Sequence, residues 1–471
     1  MSELLLMKSE LAVTAIIFIL LFIKISDTTN NETVLKIVNA LLVLNVAAGF
    51  CCIPQDCGTT GELFSGMFKT NALIAFEKNM LNIGTLLISL LSYEWLKNHR
   101  HLPEFFVLLL SSLLGMFFMI SSGNFLIFYL GLELSTIPVA ALCNFDLEKK
   151  QSSEAAMKMI MSSAFSSGIL LFGISMMYGT TGTLSFAELP QYLDGSPLQI
   201  FSFILLFTGF AFKLSVVPFH LWTADVYEGS PVAVTSFLSV ISKGSIIFVF
   251  LTTLYSAFAP MGEVWYNLLF MLSVATMIIG NLFALRQQNM KRFLAFSSIA
   301  QVGFILIGIS GGGQNGISSS VYFVLVYIFS NLGAFGAVQL ISSFSGKETI
   351  DSYKGLYQTN PLLSWVLTIS LFSLAGIPPT AGFFGKFFLL ASGAEKGNYI
   401  LITIAALNMI VSLYYYLRVV RAIFMEKNEQ PIAAIQGSIY EKAGLLICVV
   451  GIIVVGLYSH FYEYIYALSA F

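Results

Sequence analysis

Four charged residues lie deep inside apolar stretches that are long enough to cross a membrane: Glu133, Lys213, Lys243 and Lys386. A charge at the centre of a membrane helix costs about 2.5–3.5 kcal/mol on insertion scales, so together they would cost on the order of 12 kcal/mol. Among these four, the single carboxylate can neutralise one lysine and leaves two without a counter-ion. Desolvation lowers the pKa of a buried lysine and a nearby carboxylate raises it, so a moving carboxylate would switch the lysine between holding and releasing a proton. The set predicts proton transfer.

Other charged or titratable residues near the spans leave alternatives open. Lys158 lies near a span end, where its long stem can carry the charge to water. His220 follows Lys213 by seven residues, nominally two helical turns on the same face, but Pro218 lies between them. Both a packed hydrogen-bonding role and a relay role remain open for His220. Glu77 and Lys78 are adjacent, and we expect them to neutralise one another or to face a partner subunit.

Composition decides which solvent surrounds these residues. Of the 471 residues, 57% are apolar and 10% are charged, against roughly a quarter charged in soluble domains, which excludes an ordinary globular enzyme. The 23 basic and 25 acidic residues form no polyanion-binding footprint, so nucleic acid is excluded as a partner. The cysteines have no CxxC spacing and no nearby histidine cluster, so they predict small buried residues rather than a zinc or redox site: Cys51, Cys52, Cys57, Cys143 and Cys448.

Hydropathy predicts an all-α polytopic membrane protein, since about 20 apolar residues make one crossing. The seventh and twelfth spans are expected to be broken, because the seventh contains Pro218 and the twelfth contains Gly376, Pro378, Pro379 and Gly382. The fourteen predicted spans cover residues 4–25, 34–53, 70–93, 103–122, 124–143, 159–178, 199–221, 231–257, 264–285, 293–310, 316–342, 360–392, 399–424 and 442–462.

Lys and Arg are distributed unevenly between alternate loops. Thirteen follow odd-numbered spans, three lie at the termini or after even-numbered spans, and the other seven lie within or at the ends of spans. A wrong span count would remove this asymmetry. Because basic residues concentrate in cytoplasmic loops, the pattern supports fourteen spans and predicts that both termini lie outside the cytoplasm.

A short internal match predicts an inverted repeat. G-F-A-F-K (209–213) in span seven resembles G-F-F-G-K (382–386) in span twelve at an offset of 173 residues, and both lie beside a proline break. Five spans separate them, and an odd number reverses the chain direction, as in transporters whose broken helices mark the ion site. A competing match, 162–175 with 297–310, links spans six and ten in the same direction, and we interpret it as convergence of small-residue packing faces.

Several motifs resemble the antiporter-like membrane subunits of respiratory complex I, the NADH:quinone oxidoreductase, and among them the N type. The resemblance is clearest over residues 100–425. It rests on G-L-E-L-S-T-I-P (131–138), E-A-A-M-K (154–158), F-K-L-S-V-V-P-F-H-L-W-T-A-D-V-Y-E-G-S-P (212–231), S-K-G (242–244) and L-A-G-I-P-P-T-A-G-F-F-G-K-F (374–387).

The resemblance implies roles for the buried charges and a division of the chain. Glu133 with Lys213 would be a coupled ion pair, Lys243 a central relay and Lys386 the terminal proton donor, while Lys158 matches a family lysine. The expected division is a three-helix segment (1–100), a first five-helix bundle (101–258), a second, inverted five-helix bundle (259–428) and a C-terminal helix (429–471).

The resemblance also implies what surrounds the chain. It would be a non-redox, proton-translocating subunit in the plasma (inner) membrane of a bacterium, without a cofactor or metal of its own. Flavin, iron–sulfur clusters, NADH and quinone are expected in partner subunits, namely other membrane subunits, including neighbouring antiporter-like ones, and the peripheral redox arm. Multisubunit cation/proton antiporters and membrane-bound hydrogenases share this core and are the alternative, as is a membrane scaffold that does not pump.

Overall fold

The computed structural model describes residues 3–26, 30–50 and 60–470, and it is helical almost throughout. Cys51, Cys52 and Cys57 lie outside the described residues, whereas Cys143 and Cys448 are buried, as predicted, and form no disulfide within the described part of the chain. In chain order the α-helices are α1 (Lys8–Ser26), α2 (Asn31–Phe50), α3 (Ala72–Leu91), α4 (Tyr93–Lys97), α5 (Leu102–Ile120), α6 (Phe125–Cys143), α7 (Lys150–Thr181), α8 (Pro197–Leu214), α9 (Leu221–Gly229), α10 (Val232–Ser236), α11 (Lys243–Thr252), α12 (Gly262–Arg286), α13 (Met290–Gly311), α14 (Gly313–Ser345), α15 (Leu356–Thr359), α16 (Pro361–Ala375), α17 (Ala381–Ala394), α18 (Tyr399–Met425), α19 (Ile439–Leu457) and α20 (His460–Leu468).

The described residues contain thirteen helical segments long and apolar enough to cross a membrane. The fourteenth predicted span, residues 360–392, is present as the two shorter apolar helices α16 and α17. The prediction of an all-α polytopic membrane protein is confirmed. The sequence did not predict the short antiparallel hairpin of β1 (Gly61–Leu63) and β2 (Phe68–Thr70), and α7 begins nine residues before the predicted sixth span.

Both predicted helix breaks are present and share one backbone geometry. Helix α8 ends at Leu214, and Ser215 takes a left-handed conformation with φ 63°. Helix α16 ends at Ala375, and Gly376 is left-handed with φ 87°. The Ser215 N–H donates to the carbonyls of residues 211 and 212, and the Gly376 N–H donates to those of 372 and 373. These bonds satisfy carbonyls that a helix end otherwise leaves unpaired.

The breaks correct the register of the predicted repeat. The matching caps, Ser215 and Gly376, lie 161 residues apart, whereas the five-letter match implied 173. Lys213 therefore precedes its break and Lys386 follows its own, so the two lysines are not equivalent. The letter match misled because the left-handed cap is a property of the backbone that serine and glycine both adopt here. Five spans still separate the two breaks, as an inverted repeat requires.

The chain folds into two compact units. The first comprises Met1–Leu86, Lys97–Ser215 and Ile241–Leu268, and the second comprises Leu87–Leu96, Val216–Val240 and Leu269–Phe471. In the first unit α5 packs against α1 and α6, α7 packs against α8, and α11 contacts α5 and α8. In the second unit α13 contacts α9, α14 and α17, while α14 also packs against α16 and α19. The four-segment division stays a prediction.

Small residues allow the first unit to pack with its backbones close together. A Cβ on Gly115 of α5 would lie 2.4 Å from the Ser135 nitrogen of α6, and one on Gly131 would lie 2.8 Å from the Gly115 carbonyl oxygen. Such close approach is typical of membrane helix pairs, where van der Waals packing replaces the hydrophobic drive. It fixes the position of α6 around Glu133.

We expect Gly115→Ala to reduce the amount of folded protein in the membrane and to lower its thermal unfolding temperature. The added methyl group must push apart two backbones, which outweighs the gain of about 1 kcal/mol in helix propensity. Gly168→Ala in α7 is the matched control, because no atom lies within 4 Å of its added Cβ. The control should be neutral or stabilising, and equal behaviour of the two variants would contradict this account of α5–α6 packing.

Candidate functional site

The structure buries all three lysines predicted to lie deep in spans. Exposed fractions are 6% for Lys213, 2% for Lys243 and 1% for Lys386. Glu133 is half-buried, and its Oε1 atom is buried without a hydrogen-bond partner among the described residues. Each lysine needs a compensating contact, since an unpaired polar group in hydrocarbon costs several kcal/mol.

Lys213 meets a neutral partner in the first unit. Its Nζ donates to the hydroxyl of Thr136 on α6, and the Thr136 hydroxyl in turn donates to the Leu132 carbonyl at 2.5 Å. Glu133, three residues before Thr136 on the same helix, interacts electrostatically with Lys213 but forms no contact ion pair with it among the described residues. The carboxylate and the hydroxyl thus offer Lys213 two alternative acceptors on one helix.

Lys243 lies on a helix that is irregular on both sides of it. The span Val232–Ala257 is continuous and buried, and it contains two π-helical segments, Phe237–Ser242 and Thr253–Ala257. Lys243 is the first residue after the former. Short π-helical stretches loosen the regular backbone bonding and are frequent at functional sites.

Lys386 binds the end of the half-helix that precedes its own. Its Nζ donates to the carbonyls of Leu374 at 2.8 Å and Ala375 at 3.2 Å, and it lies 4.8 Å from the centre of the Phe304 ring. These carbonyls are the last of α16, where the helix dipole is negative and favours a cation. The left-handed Gly376 turns the chain away and leaves both carbonyls accessible.

A polar network that the sequence did not predict surrounds the Lys386 site in the second unit. Gln301 Nε2 donates to the same Leu374 carbonyl at 2.8 Å and to the Tyr416 hydroxyl at 3.1 Å. The Tyr416 hydroxyl lies 2.5 Å from the Ser297 hydroxyl. These side chains are neutral, so the charges that single out Lys213, Lys243 and Lys386 in the sequence do not single out the network.

A second hydrogen-bonded group joins α13 to α14. Ser298, next to Ser297, hydrogen-bonds the Tyr327 hydroxyl. Asn331 Nδ2 donates to Tyr327 at 2.9 Å and to the Ser239 hydroxyl at 2.7 Å. The signal for these residues was available as polar pairs at helical spacing, Ser297 with Gln301 and Tyr327 with Asn331.

Two less central residues are placed differently. Lys158 is 40% exposed and pairs with Glu154 at 2.7 Å, one turn earlier on α7. His220 is buried, and its Nδ1 has no hydrogen-bond partner among the described residues. The helical register predicted between Lys213 and His220 is interrupted, because α8 ends at Leu214 and α9 begins at Leu221.

Lys78 has a partner that the sequence did not predict. Its Nζ forms an ion pair at 2.5 Å with Glu10 of α1, and both side chains are 2% exposed. The Phe68 and Phe117 rings lie 5.1 and 5.9 Å from the same nitrogen. Glu77, also buried, interacts electrostatically with Lys78, but the contact ion pair of Lys78 joins α3 to α1.

Comparison with known proteins assigns the chain to a family. Residues 122–412 match the family described as NADH:quinone oxidoreductase/Mrp antiporter, transmembrane. The chain belongs to this family. NADH-quinone oxidoreductase subunit N of Phocaeicola vulgatus is 46% identical over 463 residues, which cover 97% of each chain. The resemblance drawn from the motifs is confirmed.

Two solved structures share the fold of this chain. A chain of respiratory complex I from Thermus thermophilus matches with a TM-score of 0.81 at 26% identity, covering 95% of this chain and 97% of that one. A chain of the Mrp complex from Dietzia sp. matches with a TM-score of 0.87 at 21% identity, covering 99% and 97%. The latter identity is low enough that it shows the fold alone.

The partners of Lys78 and Lys386 predict losses of stability of different size. Lys78→Met leaves the Glu10 charge buried without its partner, which should lower the free energy of unfolding by about 3–5 kcal/mol. Lys386→Met removes a buried charge and leaves mainly the Ala375 carbonyl unpaired, so its net cost should stay below about 2 kcal/mol. Unfolding in a denaturing detergent measures both.

A double variant separates the ion pair from other effects of position 78. Glu10→Gln combined with Lys78→Met removes both charges and should recover most of the lost stability. If the double variant were as unstable as Lys78→Met alone, the pair would not be the source of the loss.

Proposed function

We propose that this chain moves protons across the membrane as the N-type antiporter-like subunit of an NADH:quinone oxidoreductase, with its buried lysines as proton carriers. The observation that carries the proposal is that Lys213 and Lys386 are buried and donate to neutral acceptors, a hydroxyl and two carbonyls. An opposite charge close to a lysine favours its protonated form, and a neutral oxygen favours that form less. A lysine with neutral partners releases its proton after a modest change in its surroundings.

Glu133 supplies that change in the proposal. When Lys213 turns from the Thr136 hydroxyl to the Glu133 carboxylate, its ammonium is stabilised, and when it turns back, the proton is released. Moving one proton against 100 mV requires about 2.3 kcal/mol, equivalent to about 1.7 pKa units. Burial and charge pairing shift a lysine by up to 3–5 units, so the swing exceeds the need.

In the proposal Lys243 is the central relay and Lys386 is the terminal proton donor. Within the second unit, Ser297, Tyr416 and Gln301 form a hydrogen-bonded group that ends at the Leu374 carbonyl, which also binds Lys386. Serine and tyrosine hydroxyls both donate and accept, which a proton relay needs. The unpaired Nδ1 favours a relay role for His220, and the half-exposed pair with Glu154 favours a structural role for Lys158.

The energy source and orientation complete the proposal. The chain is a multi-pass membrane subunit of an NADH:quinone oxidoreductase. It lies in the lipid bilayer and works with other membrane subunits and with peripheral subunits. It acts as a non-redox translocase, and electron transfer takes place in partner subunits that hold flavin, iron–sulfur clusters and quinone. We place it in a bacterial inner membrane. The distribution of Lys and Arg between alternate loops supports an orientation with both termini on the non-cytoplasmic side.

Replacing Lys213 or its neutral acceptor tests the switch. Lys213→Met should reduce NADH-driven proton uptake by vesicles containing the assembled complex by about 100-fold, as is typical when a positioned proton donor is removed. Thr136→Val should reduce it as well, because Lys213 would keep Glu133 as its acceptor. Thr136→Ser retains the hydroxyl and is the control. Normal pumping by an assembled Lys213→Met complex would refute the proposal.

The neutral network has its own test. Gln301→Leu removes one donor to the Leu374 carbonyl and should slow proton pumping about tenfold, the kinetic equivalent of one hydrogen bond. Gln339→Leu is the matched control, since Gln339 is also buried in the second unit but, among the described residues, its side chain bonds only Ser343. Equal pumping rates for the two variants would remove the network from the path.

A further inference from the structure

An apolar cavity lies between α16 and α18. It encloses about 680 Å³, within the range of about 300–1,000 Å³ typical of small-ligand sites. Its walls include Trp365 and Phe372 from α16 and Tyr414, Leu417 and Phe424 from α18. Its contents must be largely apolar.

The cavity is open on the outer face of the second unit. Trp365 is 51% exposed, Tyr414 is 67% exposed and Leu417 is 40% exposed. Because α18 is a membrane-spanning helix, this exposure is to hydrocarbon or to another membrane component rather than to water. Tyr414, Leu417 and Arg421 follow one another at spacings of three and four residues and form one stripe along α18.

Two arginines lie at one end of the cavity. Arg418 is held by the end of α12, because its Nη1 and Nη2 donate to the carbonyls of Leu285 at 2.6 Å and Gln287 at 2.9 Å. Its buried Nε has no hydrogen-bond partner among the described residues. Arg421 is 71% exposed and pairs with Glu426 at 3.4 Å.

Neighbouring charges leave this end positive. Glu426 is shared with Lys354, at 3.4 Å, and Lys354 also pairs with Asp351 at 2.9 Å. This end therefore holds three cations, namely Lys354, Arg418 and Arg421, and two carboxylates, namely Asp351 and Glu426. The cluster retains capacity for one more anion.

The basic end coincides with the ends of both helices, where hydrocarbon gives way to headgroups. Helix α16 begins at Pro361 and α18 ends at Met425. Tyr357, Trp365 and Phe424 pack there in edge-to-face and tilted arrangements, with ring centres 4.8–6.4 Å apart. Tryptophan and tyrosine concentrate at the membrane–water interface, so the cavity runs from the interface into the membrane.

We propose that this cavity binds one anionic phospholipid, with acyl chain against α16 and α18 and phosphate at Arg418 and Arg421. The apolar walls of the cavity match the acyl chain of such a lipid, and its basic end matches the phosphate. Basic pockets between membrane helices bind anionic headgroups. A free phosphate would leave the apolar walls unoccupied. The proposal concerns a site separate from the proton path and does not depend on it.

Native mass spectrometry of the intact complex, reconstituted with either phosphatidylglycerol or phosphatidylcholine and then stripped by detergent, tests the site. The wild-type complex should retain phosphatidylglycerol in preference to phosphatidylcholine. Arg421→Gln should weaken retention about fivefold, the effect of one basic group near the membrane surface. Leu417→Trp adds bulk at the cavity wall without changing its charge and should also weaken retention at this site.

Lys150→Gln is the control, because it removes one exposed positive charge outside the cavity. If both cavity variants retain as much phosphatidylglycerol as this control, or if phosphatidylcholine is retained equally well, the proposal is wrong. A photoreactive cross-linker attached at Leu417→Cys should label lipid. Labelling of a neighbouring subunit instead would show that a protein helix occupies the cavity and would overturn the proposal.

Discussion

A charge inside a membrane must be given a partner, and the structure meets this constraint in three ways. Lys78 is paired with a carboxylate, Lys213 with a hydroxyl and Lys386 with the carbonyl end of a half-helix. The kinds of partner differ in how tightly they hold the proton, because a full opposite charge stabilises the ammonium more than a dipole does. The choice of partner separates a lysine that joins helices from lysines that can exchange a proton.

One of these partners, the carbonyl end of a half-helix, requires a broken helix. A continuous helix at Lys386 would satisfy its own carbonyls and offer none to a side chain. Ending α16 at Ala375, with Gly376 left-handed, exposes two carbonyls at the negative end of a dipole. Gly382 is required beside this break, since a Cβ there would lie 1.7 Å from the Ser373 oxygen. The glycines and prolines of this motif thus break the helix and leave backbone carbonyls available to Lys386.

Close packing decides which neutral residues join the charged ones. Gly115 and Gly131 bring α5 and α6 together and fix the turn that carries Glu133 and Thr136. In the second unit α13 contacts α14 and α18, and its serines and Gln301 therefore meet tyrosines from these two helices. Hydroxyls and amides cost less to bury than charges, so they extend a polar path at modest expense in stability.

The number of spans, the two broken helices and the depth of Lys213, Lys243 and Lys386 were predictable from the sequence, because hydropathy and helix breaking depend on residues near one another in the chain. The motifs also predicted the family. The partners were not predictable: Glu10 lies 68 residues from Lys78, and Thr136 lies 77 from Lys213. The repeat register failed for a related reason, since Ser215 and Gly376 share a backbone conformation and not a letter. Only the tertiary structure decided these points, because a buried charge takes whichever polar group helix packing brings within hydrogen-bond distance, and that distance is not encoded locally.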